Sequence, residues 1–225
     1  MKFIRKARHI FRRPIIFDTI RTHPVSTVFG MDRGTPIDRY YIETFLQENC
    51  DYIHGNVLEI AENTYSKKFG KNTTSHKILH SEPSNKKGVI IGDLTDPTTL
   101  PEEEIDCFIC TQTLNFIFDV SSAIKGSYRL LKKGGCFLGT VSGISQISRY
   151  DMERWGDYWR FTNLSIQQLF EQAFEKPNIE IRTFGNVFAA NAFLQGLAVE
   201  DLPTTEELKF NDTNYQIIIG IRALK

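Results

Sequence analysis

The chain has 225 residues, 41% hydrophobic and 12% aromatic, enough apolar surface for one folded domain and too much for an extended, disordered chain. Its 27 basic and 27 acidic residues cancel, so no global field recruits nucleic acid, which is not expected as a partner. No apolar run reaches the roughly 18 residues of a spanning helix, no secretory cleavage pattern follows the N-terminus, and Cys50, Cys107, Cys110 and Cys136 form no metal-ligand cluster; a reduced, cytoplasmic protein without bound metal is expected.

The first 13 residues carry Lys2, Arg5, Lys6, Arg8, Arg12 and Arg13 and no acid, with Phe3, Ala7, Ile10 and Phe11 at helix-face spacing. Such a basic amphipathic arm suits peripheral contact with an anionic membrane surface or docking on another protein, and equally a packing arm or dimer contact. Residues 1–35 are expected as arm and loop, and residues 36–225 as one domain. After turn chemistry at Gly30 and Gly34-Thr35-Pro36, Pro36 fits a first helical turn, with Ile37, Tyr40, Tyr41 and Phe45 as the apolar stripe.

From residue 56 strands and helices alternate. NVLEIA, SHKILH, GVIIGDL, IDCFICTQTL and GCFLGTV read as strands, and DVSSAIKGSYRLLKKGG as a helix stopped by its glycines. LSIQQLFEQAF, IEIRTFG, ANAFLQGLAVEDL and YQIIIGIRAL then read as helix, strand, helix and strand, while SEPSNKK and DLPTTEELKFNDTN read as loops. The expected architecture is α/β, with about seven strands in a mostly parallel sheet covered by helices on both faces, plus an N-terminal helical extension.

Ligands of such sheets bind at the carboxyl ends of strands, where strand order reverses. Glu59, Glu82 and Asp93 fall at three successive predicted strand ends, an arrangement suited to a nucleoside with a cationic tail. Each has a plainer reading: Glu59 capping a nearby helix or pairing with Arg39, Glu82 solvated in a polar loop, Asp93 shaping a turn.

NVLEIAENTYSKKFG, GVIIGDLTDPTTLPEEEIDCFICTQTLNFIFDV and RLLKKGGCFLGTV together resemble class I S-adenosylmethionine-dependent methyltransferases, over roughly residues 36–225. The segments FGMDRGTPIDRYYIE and GISQISRYDMERWGDYWRFT resemble a subgroup associated with glycosyltransferases and surface polysaccharide synthesis. The resemblance implies a Rossmann-like class I methyltransferase fold with S-adenosylmethionine as cofactor. It places Glu59 near the methionine portion, followed by Ala61, Glu62, Asn63 and Tyr65 in the turn, Glu82 on the ribose, Asp93 and Leu94 at the adenine, and Thr111 and Gln112 lining the cofactor. Ala61 stands where the family has its first glycine, so a methyl group is expected to narrow the methionine slot; Asn63 is the residue expected to tolerate a left-handed backbone there.

SRYDMERWGDYWRFT follows the fifth predicted strand, and its aromatic faces beside charges suit a sugar. Arg149, Trp155, Tyr158, Trp159 and Arg160, with Arg39 and Tyr40 from the first helix, are the candidate acceptor residues; both tryptophans in the core, with Thr162 or Asn163 capping the next helix, is the alternative. Asp32, Arg33, Asp38 and Arg39 either overhang the cofactor mouth, with Tyr40 or Tyr41 covering the methionine end, or pair on the surface. Asp151 and Asp157 are candidate general bases and Tyr150 an orienting group. The expected function is O-methylation of a sugar or glycan intermediate, with a glycosyltransferase as a further candidate partner. The alternative keeps the fold as a binding or scaffold protein in a glycan assembly complex.

Overall fold

The structure is a computed structural model that describes residues 22–81 and 88–225. The basic arm and Glu82 lie outside the described residues. Within them, α1 (Ile37–Glu48) leads into β1 (Gly55–Ile60), α2 (Thr64–Phe69), β2 (Thr73–His80), β3 (Val89–Ile91) and β4 (Ile105–Thr111). Next come α3 (Val120–Leu130), β5 (Leu131–Ser142), α4 (Arg149–Met152), α5 (Asn163–Phe170), β6 (Ile179–Phe184), α6 (Val187–Leu194), α7 (Glu206–Lys209) and β7 (Ile218–Leu224).

The seven strands form one sheet in the order β3-β2-β1-β4-β5-β7-β6. Pairings from β3 through β5 are parallel, and β7 runs antiparallel to both its neighbours. Strand order reverses between β1 and β4, whose adjoining carboxyl ends open the crevice that such a sheet offers a ligand.

Period-two alternation sorts side chains into two apolar layers. Leu58, Phe108 and Phe137 face α3 and α5, where Ile124, Ile166 and Phe170 pack, while Val57, Cys107, Ile109 and Leu138 face α1 and α6, where Phe45, Leu46 and Phe193 pack. Each fully buried aromatic or branched side chain contributes about 1.5–3 kcal/mol of transfer free energy. All four cysteines are free and buried, and burial pushes Cys110 and Cys136 up to about 12, so they behave as small apolar groups.

Four elements depart from the sequence reading. Helix α3 does not run on to the glycines: it ends at Leu130, Leu131 begins β5, and Gly134 with φ +78° sits where the β4–β5 register shifts. The helix expected over ANAFLQGLAVEDL instead begins at Val187, where the Asn186 side chain accepts from Ala189 N–H, and stops at Leu194 ahead of Gly196 at φ +68°. The loop DLPTTEELKFNDTN contains α7. Pro36 is the N-cap of α1 rather than its first helical residue.

Residues 22–35 are stitched to the α6 end of the domain. Val25 N–H donates to Gln195 C=O, Arg33 pairs with Asp201 at 2.7 Å, and Thr35 bonds Glu200 through both its N–H and its hydroxyl. Across the sheet's carboxyl edge Gln146 donates to Thr27 C=O at 3.0 Å, so this segment and the chain after β5 meet over the crevice. Among the described residues no helix is long and apolar enough to cross a membrane.

Candidate active site

A cleft of about 1600 Å³ lies along the carboxyl ends of β1, β3, β4 and β5. That exceeds the roughly 300–1,000 Å³ of a pocket for one small ligand, leaving room for two molecules side by side.

On the β1 side Glu59 is buried, and its two oxygens accept from Tyr65 N–H at 3.1 Å and Ser66 N–H at 2.9 Å. The carboxylate thus satisfies free donors at the start of α2, the capping role considered from sequence, and faces the cleft while doing so. Burial raises its pKa, against the lowering effect of those hydrogen bonds. The turn it supports is tight: Glu62 N–H donates to Ile60 C=O at 2.7 Å around Ala61, which takes φ +64°. This corrects the assignment of the left-handed residue. Asn63 has φ −115°, caps α2 without a side-chain bond and stands outside the cleft; Ala61 bears the strain directly. A non-glycine residue in that region costs about 1–2 kcal/mol, of the kind that collects at functional turns. Glu62 and Tyr65 also line the cleft, and burial lifts the Tyr65 phenol to about 12.

After β3, Asp93 is exposed on the cleft wall with one oxygen accepting from Thr95 N–H at 2.8 Å and Thr95 Oγ1 at 2.9 Å. It is therefore the turn residue considered from sequence, yet its other oxygen makes no bond to a described residue. Leu94 is buried beside it, held against α3, where Gly126 lets the backbones approach: a Cβ there would lie 2.1 Å from Leu94 O. At the end of β4, Thr111 and Gln112 line the cleft; Gln112 takes φ +49° and turns its amide back onto Thr140 and Ser142 of β5.

The opposite wall is the segment 145–160. Buried Asn115 anchors it, with Tyr158 N–H and Asn115 Nδ2–H spanning the gap to the segment's backbone, and Trp159 Nε1–H donates to Ile117 C=O at 3.0 Å. Arg149, Tyr150, Asp151, Trp155, Tyr158 and Arg160 all line the cleft. Three sequence assignments are corrected here. Trp159 is outside the cleft, its indole tied to the chain after β4 and its ring tilted on Phe118 and Phe161, although at 37% exposure it is not core either. Asp157 is an anchor rather than a free base: Arg160 binds both its oxygens, at 2.5 and 2.9 Å, and Ser148 N–H adds a third bond. Burial works to raise its pKa, but these bonds and the guanidinium charge outweigh it and hold the carboxyl below its usual value. Tyr40 faces the second apolar layer, with Tyr41 buried behind it, so neither covers the cleft.

From the first helix, Arg39 and Asp38 line the cleft, whereas Asp32 is bonded by Ser26 and Arg33 is held by Asp201. Asp38 accepts from Arg39 N–H at 2.7 Å, and burial raises it to about 6. Sequence reasoning placed Asp38 near the mouth without giving it a site role; an acid in the first turn of a helix whose opposite face is apolar was the available signal. Phe118, 70% exposed and in contact with Tyr158, was missed as a cleft residue despite standing in the loop directly after β4.

In sequence, residues 44–139 match the methyltransferase domain family. No curated protein matches the chain. Among solved structures, a SAM-dependent methyltransferase from Archaeoglobus fulgidus is 13% identical, covers 83% of this chain and 94% of its own, and superposes with a TM-score of 0.52. A methyltransferase from Mesorhizobium loti described as S-adenosylmethionine dependent is 14% identical, covers 84% and 98%, and gives 0.54. The [4+2]-cyclase SpnF, 14% identical over 90% of this chain and 87% of its own, gives 0.55; at such identities the likeness is one of fold. The strand order and the strand-end cleft agree with these structures in fold: a Rossmann-like, seven-stranded, mostly parallel sheet of the class I methyltransferase type.

Proposed function

We propose that this protein transfers a methyl group from S-adenosylmethionine to a hydroxyl of a sugar or glycan intermediate of surface polysaccharide synthesis. The observation that carries this reading is a single cleft into which both the nucleoside-type strand ends and an aromatic wall open. The residues present fit the cofactor: the strained Ala61 turn backs one end of the slot, Asp93 offers an open carboxylate oxygen for an exocyclic amine, and Leu94 gives an apolar flank. S-adenosylmethionine supplies an activated methyl on a sulfonium; the protein's share is alignment and proton removal. Glu59 acts as a positioning residue, because both its oxygens are committed to α2. Tyr150, Trp155 and Tyr158 offer ring faces to the C–H face of a sugar. Asp151, bonded by Ser148 Oγ through one oxygen, keeps the other for the acceptor proton, and Asp38 is the second carboxylate with a basicity suited to that task.

Calorimetric titration with S-adenosylmethionine tests the first half: saturable heat for wild type and about tenfold or more weaker binding for Asp93→Ala are expected. Heat no different from buffer would remove the cofactor. Labelled methyl transfer onto a lipid-linked glycan pool tests the second half, and Asp151→Asn should lower kcat by about 10²–10⁴ if Asp151 takes the proton. A second reading, the fold retained as a binding protein without transfer, has the Ala61 methyl in its favour, and any methylated product from wild type eliminates it.

A further inference from the structure

Arginine placement divides sharply among the described residues. Arg33, Arg129, Arg160, Arg182 and Arg222 each pair with a carboxylate, and Arg154 lies over the Tyr150 ring at 3.5 Å while bonding its C=O. Arg39 and Arg149 alone among them have guanidiniums without an ion pair, hydrogen bond or ring contact to a described residue, and both line the cleft. Arg39 has the Asp38 carboxyl beside it in sequence and in charge. Arg149 has no such neighbour: Asp151 is turned to Ser148 Oγ at 2.5 Å, and Asp157 is taken by Arg160. A planar, permanently charged fork left open on a ligand-binding wall matches the geometry of a phosphoryl or carboxylate anion, which it binds through two parallel bonds.

The surroundings narrow the chemistry. Arg149 stands beside Tyr150, Trp155 and Tyr158, which are 64%, 45% and 50% exposed and line the same wall. Ring faces next to an open guanidinium suit a sugar bearing an anionic group better than a neutral sugar, which would leave the charge unanswered. The cleft volume also admits an acceptor larger than one monosaccharide beside the methyl donor.

Building on the proposed methyl transfer, we propose that the acceptor is a phosphate-bearing sugar, its phosphoryl anion held by Arg149 and its ring laid on the aromatic wall. Both tryptophans of the chain, Trp155 and Trp159, lie in this segment, so intrinsic fluorescence reports on it locally. Wild type, Arg149→Gln and Arg149→Lys would be titrated with pyrophosphate, glucose 1-phosphate, UDP-glucose, geranyl diphosphate and uncharged methyl glucoside. The phosphate-bearing probes should give saturable changes at least about tenfold tighter than methyl glucoside, weakened about tenfold or more in Arg149→Gln and partly restored in Arg149→Lys. Tighter binding of UDP-glucose than geranyl diphosphate indicates a nucleotide-linked sugar, and the reverse a lipid-linked one. Absence of saturable change with every phosphate-bearing probe, or equal affinity in wild type and Arg149→Gln, overturns the proposal. Calorimetry with S-adenosylmethionine on the same proteins separates the two readings: donor binding without phosphate binding removes only the anionic acceptor, and phosphate binding without donor binding removes only methyl transfer.

Discussion

Asp38 and Ala61 show how single residues are set against local preference around the cleft. The Asp38 carboxyl, ordinarily near 3.8, is lifted to about 6 by burial. The fold therefore holds its proton more tightly than the unfolded chain does, and the stability this gives is present below about pH 4 and lost as pH rises through 6. Asp38→Asn should stabilise the protein by about 1–2 kcal/mol at pH 7 in urea unfolding, with the gain gone at pH 4. An equal gain at both values would assign it to packing instead. At Ala61 glycine would relieve about 1–2 kcal/mol of left-handed strain while adding about 0.5–1 kcal/mol of unfolded-state entropy, so Ala61→Gly should raise stability by no more than about 1.5 kcal/mol. Its consequence is expected in the slot: S-adenosylmethionine affinity should rise several-fold by calorimetry, and an unchanged affinity would mean that the methyl does not narrow the site.

At the scale of elements, the strand-end acids depend on how helices press on the sheet. Leu94 is seated against α3 because Gly126 removes a side chain from the crossing. Gly126→Ala puts a Cβ against a backbone oxygen, an overpacking that costs about 1–3 kcal/mol and displaces the loop carrying Asp93. The variant should therefore lose donor affinity as well as thermal stability; stability loss with intact affinity would show that the loop moves independently of α3. The strands were legible because their apolar runs are strong and their ends fall at polar residues such as Glu59 and Thr111. The ends of α3 and α6 were not. Leu130-Leu131 passes from helix to strand with no breaker residue, the visible glycines serving a bulge three residues later, and α6 begins where Asn186 caps Ala189 rather than at its most apolar stretch.

On the scale of the whole molecule, the strand ends of β1 and β3 and the aromatic segment after β5 line one cleft from opposite sides of the point where strand order reverses, so a ligand bound there is linked to the fold. S-adenosylmethionine at about 100 times its dissociation constant should add about 2.7 kcal/mol to unfolding stability, and the Asp93→Ala protein should need a higher concentration for the same gain. An unfolding midpoint indifferent to S-adenosylmethionine in wild type would separate the fold from that ligand. The sequence by itself determined the alternation of strands and helices, the polar residues at strand ends and the aromatic segment after β5, because these follow from periodicity and composition along the chain. Only the tertiary structure decided which polar groups remained open: Arg160 closes off Asp157, Ile117 draws Trp159 away from the cleft, and Arg149 and Asp38 are left facing it. Those outcomes depend on partners 3 to 42 residues away, whose pairing is set by the folded geometry and not by spacing in the chain.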